Sequence, residues 1–273
     1  MIKIFASPVS RDWYSEHNTG FSGFKGIVGF RMIPFFFIHE QIPMRKKDHI
    51  QKMFNNISGR YDILNHLLSF GIDFNWRRKF VNQLSHYNPR RILDVATGTG
   101  DLAILICNMQ PEQVIGIDLA ADMLTIAKQK VLRKHLEDKL IFLEGDAEAL
   151  PFPEEFFDAV TVAFGVRNFE NPEKGLTEMK RVIKSGGVMM ILEFSHPGSF
   201  PWKQLYGFYA KYLVPLIGKL VSGNRQAYAY LPESVSAFPS GKDFINILEK
   251  VGMKKVTQRT LTFSIVTIYT GEK

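Results

Sequence analysis

The run Leu93-Asp94-Val95-Ala96-Thr97-Gly98-Thr99-Gly100-Asp101-Leu102-Ala103 joins a short apolar strand to two glycines and the start of a helix. Glycine lets a backbone approach a ligand closely and adopt conformations that a Cβ opposes, so Gly98, Thr99 and Gly100 read as a ligand-cradling loop. Asp118, twenty residues beyond Gly98, closes the stretch Ile115-Gly116-Ile117-Asp118. A carboxylate at the end of a second strand is placed to accept both hydroxyls of an adenosine ribose. With Ala103 in third place the loop also satisfies a dinucleotide pattern, so these residues alone do not separate an NAD site from an S-adenosylmethionine site. Three further features favour S-adenosylmethionine. Asp94, inside the first strand, would orient a loop that meets a sulfonium and an ammonium rather than a pyrophosphate. Gly145-Asp146-Ala147 puts a carboxylate and a backbone amide where an adenine edge would lie. Leu150-Pro151-Phe152 and Phe156-Phe157-Asp158 then lead straight into another strand. Asp101 reads as the N-terminal acid of a helix rather than a ligand.

These residues need a scaffold, and the apolar periodicity predicts one. Helical stretches at His49–Ile57, Ile63–Leu68 and Trp76–Leu84 precede a strand at Arg91–Val95. A helix at Leu102–Asn108, a strand at Gln113–Ile117, a helix at Ala121–Arg133 and a strand at Leu140–Leu143 follow. A strand at Ala159–Ala163, a helix at Pro172–Ile183 and a strand at Val188–Glu193 continue the alternation, with Lys184-Ser185-Gly186-Gly187 as a helix stop capped by glycine. Strands separated by helices imply right-handed crossovers and a buried, mostly parallel, doubly wound α/β sheet. An aromatic-rich insertion fills about 197–238. A helix at Lys242–Val251 and two nearly contiguous strands, Lys254–Thr260 and Phe263–Tyr269, complete seven strands, the last two an antiparallel pair at the sheet edge. Such a sheet binds its ligands at the C-terminal ends of its parallel strands.

The 273 residues are 45% hydrophobic and 22% charged, which excludes a disordered chain or a coiled coil. A single cysteine, Cys107, allows no internal disulfide, and no Cys/His cluster has zinc-ligand spacing, so no metal is expected. Lys and Arg number 34 against 27 Asp and Glu, a net charge of +7 that favours anionic surfaces. No basic block of five to eight residues appears beyond Arg45-Lys46-Lys47, so no nucleic-acid platform is read here. No apolar stretch approaches the roughly 20 residues of a bilayer span. Residues 1–43 carry no sustained period and fit neither a secretory signal nor a mitochondrial presequence, so they read as a weakly ordered extension ahead of a domain over 44–273, with Met44 as an alternative start.

Two further motifs narrow the reading. Tyr61-Asp62-Ile63-Leu64-Asn65-His66-Leu67-Leu68-Ser69 with Trp76, and Arg181-Val182-Ile183-Lys184-Ser185-Gly186-Gly187 with Glu193-Phe194-Ser195, are similar to the two signatures of the menaquinone/ubiquinone biosynthesis C-methyltransferases. Phe164-Gly165-Val166-Arg167-Asn168 between them also resembles that family, as does Tyr228-Ala229-Tyr230-Leu231-Pro232-Glu233-Ser234 after the insertion. The resemblance covers about residues 46–273 and departs at Leu64, Asp73, Ser185 and Ala163, where methionine, histidine, proline and serine occur in relatives.

The resemblance implies a class I S-adenosylmethionine-dependent fold with N-terminal helices and a helical lid. Asp94, Gly98, Thr99, Gly100, Asp118, Asp146 and Ala147 would hold the cofactor. The implied reaction is C-methylation of a prenylated hydroquinone, demethylmenaquinol to menaquinol, with a ubiquinone-pathway benzoquinol or a non-catalytic cofactor-binding scaffold as alternatives. A phenolate pushes electron density onto its ortho carbon, so the implied site must stabilise an oxyanion and release one proton. Arg167 is the expected oxyanion partner, because a guanidinium stays charged; Asn168 would position a water, and Tyr61 and Asp62 would close the far wall. The lid, with Trp202, Leu205, Tyr206, Phe208 and Tyr209 interleaved with lysines, would border a prenyl channel and touch a membrane surface transiently. A cytoplasmic protein, peripheral at the inner face of the membrane, is the corresponding expectation, and a homodimer is compatible with it.

Overall fold

The computed structural model describes residues 45–198, 200–209, 212 and 225–273. The extension read over 1–43 and much of the centre of the insertion lie outside the described residues.

Helices α1 (Lys46–Leu68) and α2 (Ile72–Leu84) precede the sheet. The sequence suggests a break near Ser58-Gly59-Arg60, but α1 is continuous. Its buried residues Ile50, Met53, Ile57, Leu64 and Leu68 keep one helical face across the interruption, and packing outweighs the low propensity of a single glycine. Then follow β1 (Arg91–Val95), α3 (Asp101–Ile106), β2 (Gln113–Asp118), α4 (Ala121–Lys134), β3 (Leu140–Glu144), β4 (Phe157–Ala163), α5 (Pro172–Val182) and β5 (Ile183–Phe194). Helices α6 (Trp202–Phe208), α7 (Arg225–Ala237) and α8 (Lys242–Lys250) lead to β6 (Lys254–Leu261) and β7 (Val266–Glu272).

Among the described residues the seven strands form one sheet in the order β3-β2-β1-β4-β5-β7-β6. All neighbours are parallel except β5·β7 and β6·β7. Every residue of β1 except Arg91 is buried, as expected of a strand covered on both faces. One face packs on Trp76, Phe80 and Leu84 of α2, the other on Leu176 and Met179 of α5 and Phe244 of α8. Each such fully buried side chain contributes about 1.5–3 kcal/mol. Strand β6 is mostly exposed and carries Lys254, Lys255 and Arg259, charges that discourage edge-to-edge pairing with another chain.

Two boundaries differ from the sequence reading, each for a backbone reason. Helix α5 ends at Val182, and Ile183 is already extended and paired with Phe157. Gly186 takes a left-handed φ of +78°, but inside β5, where the register against β4 shifts between Phe157 and Ala159. A Cβ on Gly187 would lie 2.6 Å from the Asp158 carbonyl, so these glycines serve a bulge rather than a helix cap. Strand β7 starts at Val266 because Thr262, Phe263 and Ser264 have φ of +45°, +54° and +66°. Left-handed backbone is costly for side chains of this kind and is held only by surrounding contacts. Here Ser195 Oγ donates to the Ser264 carbonyl at 2.7 Å, and Trp76 Nε1 donates to Thr262 Oγ1 at 2.7 Å. Trp202 stacks on Phe263 with ring centroids 3.5 Å apart.

Candidate active site

Chain order reverses between β1 and β4, and the crevice outside their C-terminal ends is where an open α/β sheet takes its ligand. Two adjoining cavities lie there. The smaller is lined by Gly98 from the loop after β1, Asp118 at the end of β2, Asp146 and Ala147 after β3, and Ala163 and Asn168 after β4. The larger, about 380 Å³, lies between α1, α2, the lid and the β6–β7 turn. Phe54, Tyr61 and Phe164 line both, so these three side chains form the boundary between them.

Gly98 adopts a φ of +57° with open space where a Cβ would stand, leaving its backbone accessible to a ligand. Its N–H donates to Asp118 Oδ2 at 2.8 Å, and the Ala120 N–H donates to Oδ1 at 2.9 Å. Burial pushes the Asp118 carboxyl up, with the backbone donors opposing it. A carboxylate offers about four acceptor sites, so these backbone donors leave capacity for a ribose hydroxyl. Asp146 accepts from the Glu148 N–H at 2.9 Å and from Lys47 Nζ at 3.0 Å. Carboxylates fixed on either side of an open glycine backbone fit the ribose and adenine of S-adenosylmethionine.

Other residues expected at the cofactor stand behind the cavity rather than in it. Gly100, with φ +82°, would place a Cβ 2.6 Å from Phe142 and 3.2 Å from Ala127, so it is the close packing of α3 on the sheet that requires glycine. Thr99 Oγ1 donates to Asp62 Oδ1 at 2.5 Å, and Asp62 is also paired with Lys130 Nζ at 2.5 Å. Neither Thr99 nor Asp62 lines either cavity, so the far wall is closed by Tyr61 without Asp62. Asp101, the first residue of α3, pairs with Lys130 at 2.6 Å, as a helix N-terminal acid can.

Asp94 is buried beneath the loop, accepting from Thr97 Oγ1 at 2.6 Å and Thr161 Oγ1 at 2.8 Å. Burial raises its pKa to about 6, against the pull of those two hydroxyls. The folded pKa therefore exceeds the unfolded one. The stability associated with Asp94 is fully present below about pH 4 and is lost as pH rises through about 6, amounting to about 3 kcal/mol at neutrality. Asp94→Asn is expected to be relatively more stable than the natural protein at pH 7 than at pH 4, as measured by denaturant titration of both proteins across this range. A stability difference independent of pH would contradict the assignment.

In the larger cavity, Arg167 is almost fully buried, in the 3₁₀ turn Val166–Asn168. Its Nη1 donates to Glu193 Oε1 at 2.8 Å and also to the Phe164 carbonyl. Its guanidinium lies 5.4 Å from the Phe194 ring centroid. Glu193 at the end of β5 has no exposure, and burial raises its carboxyl while Arg167 pulls it down. The side chain expected to face an oxyanion is thus also half of a buried ion pair. Glu193 was legible only as part of a signature. Arg167 Nε and Glu193 Oε2 are buried without partners among the described residues. Tyr61 feels burial, which raises its hydroxyl, and Arg167, which lowers it. Asn168 faces the smaller cavity and accepts from the Tyr230 hydroxyl at 3.0 Å, while Tyr230 lines the larger one. A buried polar pole in a mostly apolar chamber, reached from a carboxylate-lined pocket past Tyr61, suits transfer of a small group onto an apolar acceptor.

The sheet order and the cavities at its switch point are those of the class I S-adenosylmethionine-dependent methyltransferase fold. The same fold occurs in a SAM-dependent methyltransferase of Thermotoga maritima (TM-score 0.57, 19% identity, 82% of this chain and all of that one). It occurs too in the [4+2]-cyclase SpnF (TM-score 0.60, 16% identity, 83% and 96%). The family model of the ubiE/COQ5 methyltransferase family matches residues 43–273, and the chain belongs to that family. Its relatives include the demethylmenaquinone methyltransferase of Bacteroides fragilis, 48% identical over 84% of this chain and 94% of the relative. That of Thermus thermophilus is 46% identical over 81% and 100%. The ubiquinone/menaquinone biosynthesis C-methyltransferase UbiE of Geobacter sulfurreducens is 44% identical over 84% and 90%.

Proposed function

We propose that this protein C-methylates a prenylated hydroquinone, converting demethylmenaquinol to menaquinol. The observation that carries the reading is the contact of the two cavities at Phe54, Tyr61 and Phe164, with Arg167 on the acceptor side. Bound in the smaller cavity, S-adenosylmethionine supplies an electrophilic methyl group. Asp118 would hold its ribose, Asp146 and Ala147 would flank its adenine, and Gly98 would let it lie against the backbone.

The acceptor ring would lie in the larger cavity with one oxygen at Arg167. The guanidinium is held at Nη1 by Glu193 and the Phe164 carbonyl, and its Nη2 has no partner among the described residues, which leaves it for an oxyanion. A cation fixed in an apolar chamber favours the phenolate, and the phenolate makes the ortho carbon nucleophilic. Alignment of the reactants in a dry site lowers the barrier by up to about 7–11 kcal/mol. Tyr61 at the boundary would orient the ring, and Asn168, held by Tyr230, would order water for the departing ring proton.

The mouth of the larger cavity suits a lipid-borne tail. Phe70, Leu205 and Phe263 line it and are 72%, 56% and 55% exposed; Phe200 and Phe208 of the lid region are 81% and 58% exposed. An aromatic rim of this kind would rest on a bilayer surface while the tail remains in hydrocarbon. No helix among the described residues is long and apolar enough to cross a membrane. We place the protein in the cytoplasm, at the inner face of the membrane.

The test is methyl transfer from labelled S-adenosylmethionine to demethylmenaquinol, and separately to a prenylated benzoquinol, both in lipid vesicles. Label on the naphthoquinol is expected. Transfer to the benzoquinol alone would assign the protein to the ubiquinone pathway, in keeping with its UbiE relatives. Donor binding without transfer to either would leave a scaffold.

A further inference from the structure

The larger cavity has a second cationic pole that neither the signature motifs nor the oxyanion argument used. Arg77 on α2 lines it. Its Nη1 donates to Asp73, which also accepts from Ser69 Oγ at 2.6 Å and His66 Nδ1 at 2.8 Å. The Arg77 guanidinium lies 5.7 Å from the centroid of Phe164, as that of Arg167 lies 5.4 Å from Phe194. The two rings are neighbours, centroids 4.6 Å apart, and both pack on Trp76. Both arginines also act on the Tyr61 hydroxyl. One aromatic floor therefore carries two guanidiniums, each held at one nitrogen by its own carboxylate and each facing the same chamber.

A hydroquinone is a flat ring with an oxygen at each end, so two guanidiniums on one aromatic floor could each meet one of them. We infer that Arg77, held by Asp73, binds the second, distal oxygen of the acceptor, para to the oxygen stabilised by Arg167. Arg77 is thus a specificity-determining residue for 1,4-dihydroxy rings. Arg77 Nε and Nη2 have no protein partner among the described residues and are free to donate to that oxygen. The two poles would fix the ring by both ends, and this selects which ring carbon meets the methyl group. The Asp73–His66 pair ties Arg77 to α1 and orients it.

The inference rests on the quinol reading of the cavity, and the experiment separates the two. Methyl transfer to 1,4-naphthohydroquinone and to 1-naphthol, which lacks the distal oxygen, is compared in the natural protein and in Arg77→Gln. The natural protein is expected to prefer the dihydroxy compound by about tenfold or more in kcat/KM, the value of a hydrogen bond to a charged group. Arg77→Gln should lose that preference, the ratio of the two kcat/KM values falling to about one. Because each protein is compared with itself, partial unfolding of the variant cancels in the ratio, and Arg77→Lys should restore part of the preference. A preference unchanged in Arg77→Gln would overturn the assignment of Arg77 while leaving the quinol reading intact. Failure of the natural protein to methylate either compound, or demethylmenaquinol, would overturn both.

Discussion

Arg167→Ala is expected to lower methyl transfer by about 10²–10³-fold or more while leaving affinity for S-adenosylmethionine close to that of the natural protein. Loss of one preorganised donor to a developing oxyanion has an effect of that size in a dry site. The separation of the two effects follows from the geometry, since Arg167 lines the larger cavity and not the smaller. The substitution also strands the fully buried Glu193 carboxylate, which destabilises by about 3–5 kcal/mol. Pairing it with Glu193→Gln removes the stranded charge, and the double variant should recover thermal stability without recovering turnover. Calorimetric titration with the donor and a turnover assay, both below the melting temperature, decide the matter. A large loss of donor affinity would mean that Arg167 belongs to the cofactor site.

For Asp118→Ala the order of effects reverses: donor affinity should fall by about a hundredfold or more, the equivalent of two hydrogen bonds to a charged acceptor. The variant also frees the N–H groups of Gly98 and Ala120, so the glycine loop loses the group that holds it against β2. At saturating donor the turnover rate should be far less affected than the affinity, because Asp118 is absent from the larger cavity. Retained affinity in the titration would remove the ribose from Asp118.

The scaffold was legible because it is built from strong, local patterns. Short, largely apolar runs such as Arg91–Val95 and Gln113–Asp118, alternating with helical periods, read as buried strands joined by parallel crossovers. Gly98 and Asp118 were legible as a loop and an acid at a strand end, and the structure brings them into direct contact. Where expected residues stand behind a cavity rather than in its lining, the cause is shared: spacing reports which residues are near a site but not which way they face. Thr99 and Asp62 lie 37 positions apart and hydrogen-bond each other, which no local pattern encodes. Gly100 satisfies the loop motif for a packing reason set by Phe142, on a strand far along the chain. For the same reason Arg77 carries no signal of its own in the sequence, and Glu193 none beyond its signature. Each acquires its meaning from a partner and from an aromatic floor assembled from Trp76, Phe164 and Phe194, three separate segments.

Each arginine that faces the acceptor chamber arrives with its own counter-anion, Glu193 for Arg167 and Asp73 for Arg77. A bound pair casts a dipolar field that fades faster with distance than that of a lone ion. Water-borne anions such as nucleotides or carboxylic acids therefore feel little electrostatic lure from outside, and a greasy uncharged guest meets no electrostatic toll on the way in. If these arginines meet the acceptor oxygens as proposed, discrimination is deferred to the last few ångströms, where a hydroxyl either finds a guanidinium or does not.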